Sequence, residues 1–261
     1  KEFEISYSLR TDLININSVK KRANNKMIGF GYSGETAVES RSPLGALPGA
    51  IEEINFLREN IKGNYYVGAA GSKSNFLSSV KDYDIIHLAI HGISDSTDRY
   101  NSRLIFNGRD NVLQTKDIYL ANMNSRLVVL SACESGVGEI NEGEGTFSIA
   151  RGFALTGTES IVMSLWKVDD GSSAKLMVDF YKGINKKQRV STALINSKKT
   201  YLLNADRYSS HPYYWSSFVM LGDDINLSSN GQSYWVYVLI VFLLAASWMA
   251  IKKKRANWKS N

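Results

Sequence analysis

Three stretches of this chain are apolar on both faces that a strand would present, and they restrict its fold more than any other feature. Residues 84–90, 126–132 and 160–166 carry Ile85, Ile86, Leu88 and Ile90, then Leu127, Val128, Val129 and Leu130, then Ile161, Val162 and Met163. A strand that buries one face alternates apolar and polar residues. One that is apolar throughout needs cover on both sides, as in a parallel sheet with helices above and below. Apolar residues at helical spacing lie before, between and after these runs, at 49–61, 75–81, 115–121, 144–155, 171–184 and 190–203. A short apolar run at 27–32 and further strands at 2–9, 65–69 and 213–221 complete the pattern. This alternation predicts an α/β fold: a three-layer α/β/α sandwich with a mainly parallel central sheet. In such sheets ligands bind beyond the carboxyl ends of the strands, so the residues just after each strand are the ones to inspect.

Hydrophobic residues make up 44% of the chain and charged residues 21%, which fits a packed domain rather than wholesale disorder. The net charge of +6 comes from clusters at 20–22, 186–189 and 252–255, without the interleaved aromatics of a nucleic-acid groove, so nucleic acid is not an expected partner. Residues 234–251 are uncharged and mostly apolar, with Tyr234, Trp235 and Tyr237 at one end, Trp248 at the other and a basic run, 252–255, after them. That is the length and trim of a membrane-spanning helix. The basic flank puts the 252–261 tail in the cytoplasm and the folded domain on the opposite, periplasmic side, as a single-pass membrane protein. The expected organisation is an N-terminal strand and linker over 1–26, a domain over 27–224, a linker over 225–233, the membrane helix over 234–251 and the tail. The first residue is Lys1, so the chain reads as part of a longer protein.

The chain has one cysteine and three histidines, so no internal disulfide forms. His91 directly follows the strand at 84–90, and Cys133 directly follows the strand at 126–132. Neighbouring parallel strands would deliver an imidazole and a thiol to one edge of the sheet. A thiol attacks a carbonyl as thiolate, which a nearby histidine generates before protonating the leaving amine. Gly92 follows His91, and Gly136 and Gly138 lie soon after Cys133, so backbone N–H groups, those of Gly92 and Cys133, are expected to approach an oxyanion closely. His87 stands four residues before His91, the spacing of helical zinc ligands, but its apolar flanks mark a strand and no third ligand follows, so it reads as a core histidine and no metal is expected. His211, before Pro212, reads as structural.

The neighbourhoods of these residues resemble the CHAT domain family, relatives of caspases and separase found in bacterial proteins and often preceded by tetratricopeptide repeats. The likeness rests on Ile86-His87-Leu88-Ala89-Ile90-His91-Gly92 and Leu130-Ser131-Ala132-Cys133-Glu134-Ser135-Gly136-Val137-Gly138. It continues through Leu47-Pro48-Gly49-Ala50, Asn75-Phe76-Leu77, Gly143-Glu144-Gly145, Ala150-Arg151-Gly152-Phe153, Ser164-Leu165-Trp166-Lys167-Val168-Asp169-Asp170, Phe180-Tyr181 and His211-Pro212-Tyr213-Tyr214-Trp215. The resemblance implies a caspase-like sandwich, His91 and Cys133 as a catalytic dyad, cleavage of a protein or peptide substrate without cofactor, and a repeat region upstream in the parent chain. Two small departures are Ile90, where Thr is common, and Gly71-Ser72, where Ala-Thr is usual. Asp169 and Asp170 carry two readings: Asp170 caps the helix beginning near Gly171, or one carboxylate selects a basic residue before the scissile bond, as the similar Trp-then-Asp segment of separase suggests, with Asp169 the better candidate because Asp170 has the capping role open to it. Ser131, two residues before Cys133, is expected to line that pocket. Residues 135–145 read as a loop beside the nucleophile that orders when an upstream sensor engages. The rival reading is a non-catalytic signalling or scaffold module that binds a partner in the same cleft; a hydrolase of small esters or amides is weaker, because no apolar pocket cluster stands out.

Overall fold

In chain order the elements are β1 (Met27–Gly31), α1 (Pro48–Asn60), β2 (Gly63–Tyr66), α2 (Lys73–Ser79), β3 (Ile85–Ala89), β4 (His91–Ile93), β5 (Arg103–Ile105) and β6 (Val112–Gln114). There follow α3 (Thr115–Leu120), β7 (Leu127–Leu130), β8 (Cys133–Glu134), α4 (Glu144–Leu155), β9 (Ser160–Ser164), α5 (Asp170–Asn185), α6 (Val190–Leu203) and β10 (Phe218–Gly222). The computed structural model describes residues 25–34, 44–93, 95, 101–121, 123, 125–131, 133–134, 144–227 and 242, with the backbone alone for 133–134 and 144–148.

Among the described residues the strands form two sheets. The larger has the order β10-β9-β7-β3-β1-β2, and only β10 runs antiparallel to its neighbour. Alternation along each strand sends side chains to opposite layers. Ile28, Phe30, Ile86, Leu88, Val128, Leu130, Ile161 and Met163 pack with Phe76 of α2, Ile118 of α3 and Phe153 of α4. Met27, Ile85, Leu127, Val129 and Val162 pack with Ile54 and Leu57 of α1, Leu176 and Phe180 of α5, and Val190 and Leu194 of α6. The expected mainly parallel α/β/α sandwich is therefore present. Each fully buried aliphatic or aromatic side chain in these layers stabilises the fold by about 1.5–3 kcal/mol relative to exposure.

The helix starts are tied by side chains. Ser72 accepts from Asn75 N–H at the start of α2, and Gln114 and Asp117 form a reciprocal box at the start of α3. The first turn of α1 takes its acceptor from another helix: Gly49 N–H donates to Asp170 Oδ2 of α5 at 2.5 Å. A Cβ at Gly49 would lie 2.4 Å from the Asp170 carbonyl oxygen, so only glycine admits this approach.

The second sheet, β6-β5-β4-β8, sits past the carboxyl ends of β3 and β7. Its strands of two or three residues were not expected. Other boundaries shift too: the strand expected at 65–69 is β2 at Gly63–Tyr66, and residues 213–217 of the strand expected at 213–221 precede β10, with a 3₁₀ turn at Pro212–Tyr214. Two expectations need correction. No helix among the described residues is long and apolar enough to cross a membrane, which corrects the expectation of a membrane-spanning helix and, with it, that of a single-pass protein with a periplasmic domain. Residues 234–251, apart from Phe242, lie outside the described residues, as do the strand expected at 2–9, most of the first linker, the loop at 135–143, residues 228–233 and the basic tail.

Candidate active site

The strand order runs outward in both directions from β1 and β3: β2 lies beyond β1, and β7 and then β9 lie beyond β3. The crevice beyond the carboxyl ends at such a switch point is where open α/β sheets bind ligands. Tyr32 follows β1 there, and His91 follows β3. Tyr32 N–H donates to Ala89 O at 2.9 Å, and the two rings meet edge to face at 4.6 Å between centroids. His91 is 2% exposed, and its Nε2 lies 2.8 Å from Gly45 O. A carbonyl oxygen only accepts, so a proton sits on Nε2, and Nδ1 is the basic nitrogen of the neutral ring.

Cys133 begins β8. This short strand pairs in parallel with β4 in the register Gly92↔Cys133 and Ile93↔Glu134. Parallel neighbours lie about 4.8 Å apart, so the backbone of Cys133 runs beside that of the residue following His91. β3 and β7, which feed these two strands, are themselves parallel neighbours. The small sheet thus continues the pairing of the large one and carries His91, Gly92 and Cys133 side by side.

Ser131 is buried, and its Oγ lies 3.5 Å from His87 Nε2, on the face of the sheet covered by α1 and α5. His87 is fully buried between Glu53, whose Oε2 is 2.9 Å from Nε2, and Tyr181, whose hydroxyl is 3.0 Å from Nδ1. Both ring nitrogens are engaged by side chains, which agrees with a core histidine. Burial pushes the Tyr181 hydroxyl well above its ordinary pKa. His211 is exposed, and its Nδ1 accepts from Tyr213 N–H at 3.2 Å, capping the 3₁₀ turn, as a structural histidine would.

The capping role expected of Asp170 falls on its neighbour. Asp169, not Asp170, is the N-cap of α5: its Oδ2 accepts from Ser172 N–H and from the Ser172 hydroxyl, both at 2.9 Å. Asp170 is the first residue of that helix and faces Gly49 of α1. Burial raises its pKa above the usual carboxylate value and Glu53 adds to the rise, while the N–H groups of Gly49 and Ala50 oppose it. Asp169 stays exposed, and a carboxylate has lone pairs beyond the two that capping uses. Close by, Trp166 donates from Nε1 to Tyr213 O at 3.0 Å, and Tyr214 stacks against Tyr208 and Tyr213.

Several residues of this region were missed by sequence reasoning. Glu53 lies one helical step from Ala50, Ile54 and Leu57, on the buried face of α1, so the periodicity alone would have flagged a buried carboxylate. Tyr32, Gly45 and Asn107 gave no signal, because what they contribute depends on loop geometry.

Comparison with known proteins bears on the family and the fold. The chain is 22% identical over 230 residues to tetratricopeptide repeat protein 28 of Mus musculus, and equally to that of Homo sapiens; the match covers 74% of the chain but only 9% of either relative. The fold is shared with the Arg-specific cysteine proteinase gingipain R, at a TM-score of 0.51 and 10% identity over 77% of this chain and 46% of that one. The complex of pro- and mature domains of Porphyromonas gingivalis RgpB gives the same TM-score of 0.51 at 12% identity, over 77% and 47% of the two chains. The CHAT domain family model matches residues 1–223. With the family model spanning almost all of the described fold, this chain belongs to the CHAT domain family.

Proposed function

We propose that the domain is a cysteine endopeptidase in which Cys133 is the nucleophile and His91 the base. What supports this most is the parallel register of β4 and β8, which pairs Gly92 with Cys133 directly after a histidine whose Nε2 is held by a carbonyl oxygen. In the reaction, His91 Nδ1 takes the thiol proton and the sulfur attacks the scissile carbonyl carbon. The oxyanion is met by the N–H groups of Gly92 and Cys133. The C–N bond breaks as His91 returns the proton to the leaving amine, and water then hydrolyses the thioester with His91 again as base. No cofactor enters these steps.

A basic residue before the scissile bond is the proposed preference, with Asp169 and Asp170 as the attracting carboxylates. Asp169 has the better exposure; Asp170 and the buried Ser131 support the wall behind it. The Arg-specific proteinase with the same fold is consistent with this choice. A tetratricopeptide-repeat region, of the kind that names the curated relatives, is proposed to control access to the cleft.

Fluorogenic peptides with Arg, Lys or an acidic residue before the cleavage point test the reading. Cleavage after the basic residues by the wild type, absent in Cys133→Ala, is the expected result. No cleavage of any peptide or protein, with the cleft still binding a partner, would favour the scaffold role instead.

A further inference from the structure

Asn107 stands two residues beyond β5, in the sheet that carries His91, and β5 pairs with β4 so that Ile105 faces His91. It is 1% exposed, and its amide reaches across to the large sheet. Oδ1 accepts from both the N–H and the hydroxyl of Ser33, each at 3.1 Å. Nδ2 donates to Gly31 O at 2.9 Å and to Gly71 O at 3.3 Å. An asparagine side chain has two donor hydrogens and an acceptor with two lone pairs, and all of them are used here.

The peptide groups gripped in this way flank one residue, Tyr32. Gly31 O lies on one side of it and Ser33 N–H on the other. Tyr32 is in turn buried against the imidazole of His91, edge to face at 4.6 Å, and its N–H is tied to Ala89 O, two residues before His91. The ring of His91 is therefore constrained by Gly45 O on Nε2 and by the Tyr32 ring on its flank, and the latter contact depends on Asn107. Gly71 completes the device. A Cβ there would lie 2.7 Å from Asn107 Nδ2 and 3.3 Å from Gly31 O, so the absence of a side chain is what lets the amide reach both carbonyls.

We propose that Asn107 is a positioning residue for His91: it clamps the peptides around Tyr32 and so fixes the orientation of the imidazole. Its effect on Cys133 rests on the proposed dyad, whereas its effect on the His91 ring does not. A buried amide that only stitched two loops together would change stability and leave the histidine unaltered. One that positions the base changes its tautomer and the pH response of the thiol.

The test uses the full chain as wild type, Asn107→Ala and Gly71→Ala, with Ser125→Ala as a remote control. Gly71→Ala pushes on the amide without removing it, so it remains informative if Asn107→Ala does not fold. Ser125 is bonded to Thr158 at the opposite end of the sheet. Two quantities are read: the nitrogen and proton NMR shifts of the His91 ring, assigned through loss of its signal in His91→Ala, and the rate of Cys133 alkylation against pH. Small misplacements of a catalytic group cost up to about 10²-fold in rate. The expected result is a single Nε2–H tautomer in the wild type and a tautomer mixture in Asn107→Ala and Gly71→Ala. With it should come roughly 10- to 100-fold slower alkylation near neutral pH, while Ser125→Ala matches the wild type. Unchanged ring shifts and an unchanged pH profile in both variants, with His91→Ala still abolishing the reactivity, would overturn the role of Asn107 and leave the dyad intact. Reactivity that survives His91→Ala refutes the dyad and with it any influence of Asn107 on the thiol.

Discussion

Removing the carboxylate of Glu53 should destabilise the domain more than removing any exposed charge. Its Oε2 is 2.9 Å from His87 Nε2, and the two side chains are 2% and 0% exposed. Taking one partner from a buried, hydrogen-bonded pair leaves the other without compensation, which costs about 3–5 kcal/mol, and the lost methylene contacts add about 0.8 kcal/mol each. An exposed pair such as Lys182–Asp179 contributes only about 0–1 kcal/mol. Glu53→Ala should therefore remove a large share of a net stability that in domains of this kind is about 5–15 kcal/mol. At about 2–4 °C per kcal/mol the midpoint should fall by roughly 6–20 °C. Glu53→Gln, which keeps the shape and an acceptor for the imidazole, should lose about 1–2 kcal/mol. Urea unfolding followed by far-UV circular dichroism measures both. A loss below about 1 kcal/mol for Glu53→Ala would refute the reasoning, because the pair would then be behaving as if solvated.

Lys198 Nζ donates to Phe218 O at 2.6 Å from a largely buried position, and burial lowers its pKa to about 8. The folded state thus holds this proton less tightly than the unfolded chain, so stability should rise with pH between about 8 and the ordinary lysine value, relative to Lys198→Met; a flat difference across that window would contradict it. Asp170 has the opposite consequence: its raised carboxyl pKa means that the fold favours the protonated form, so wild-type stability should fall relative to Asp170→Asn as pH rises through and above the carboxylate range. Asp169→Ala removes the α5 cap and should cost about 1 kcal/mol in chemical denaturation. Because Asp169 is also the proposed anchor for a basic side chain, turnover of Arg or Lys peptides should fall far more than the rate of Cys133 alkylation, and equal effects on both would remove the pocket.

The large sheet was legible because its central strands are covered on both faces, which demands apolar runs such as Ile85–Ala89 and Leu127–Leu130 that no half-exposed strand shows. The helices Glu144–Leu155 and Val190–Leu203 were legible to the residue. β4, β5, β6 and β8 were not, because two or three residues are too few to display a period. β2 was read two residues late: Gly63 and Asn64 look like a turn, yet a Cβ at Gly63 would lie 2.4 Å from Met27 O, so glycine there serves the close approach of β1 and β2. The same kind of error placed the α5 cap on Asp170 instead of Asp169, since a helix start misjudged by one residue moves the cap by one. Hydrophobicity led to the membrane helix at 234–251, which lies almost wholly outside the described residues, and no described helix is of spanning character. Pairings between loops, such as Asn107 with Gly31, leave no periodic trace, so the setting of His91 had to come from coordinates.

The central claim concerns the cooperation of one imidazole with one thiol, and Cys133 is the sole cysteine, so any thiol adduct is unambiguous. An electrophilic peptide probe carrying a basic residue, incubated with the wild type and with His91→Ala and followed by intact mass, measures that cooperation directly. A single adduct on the wild type, forming at least about 10²-fold faster than on His91→Ala, is the expected result. Equal labelling rates in the two proteins would contradict the dyad.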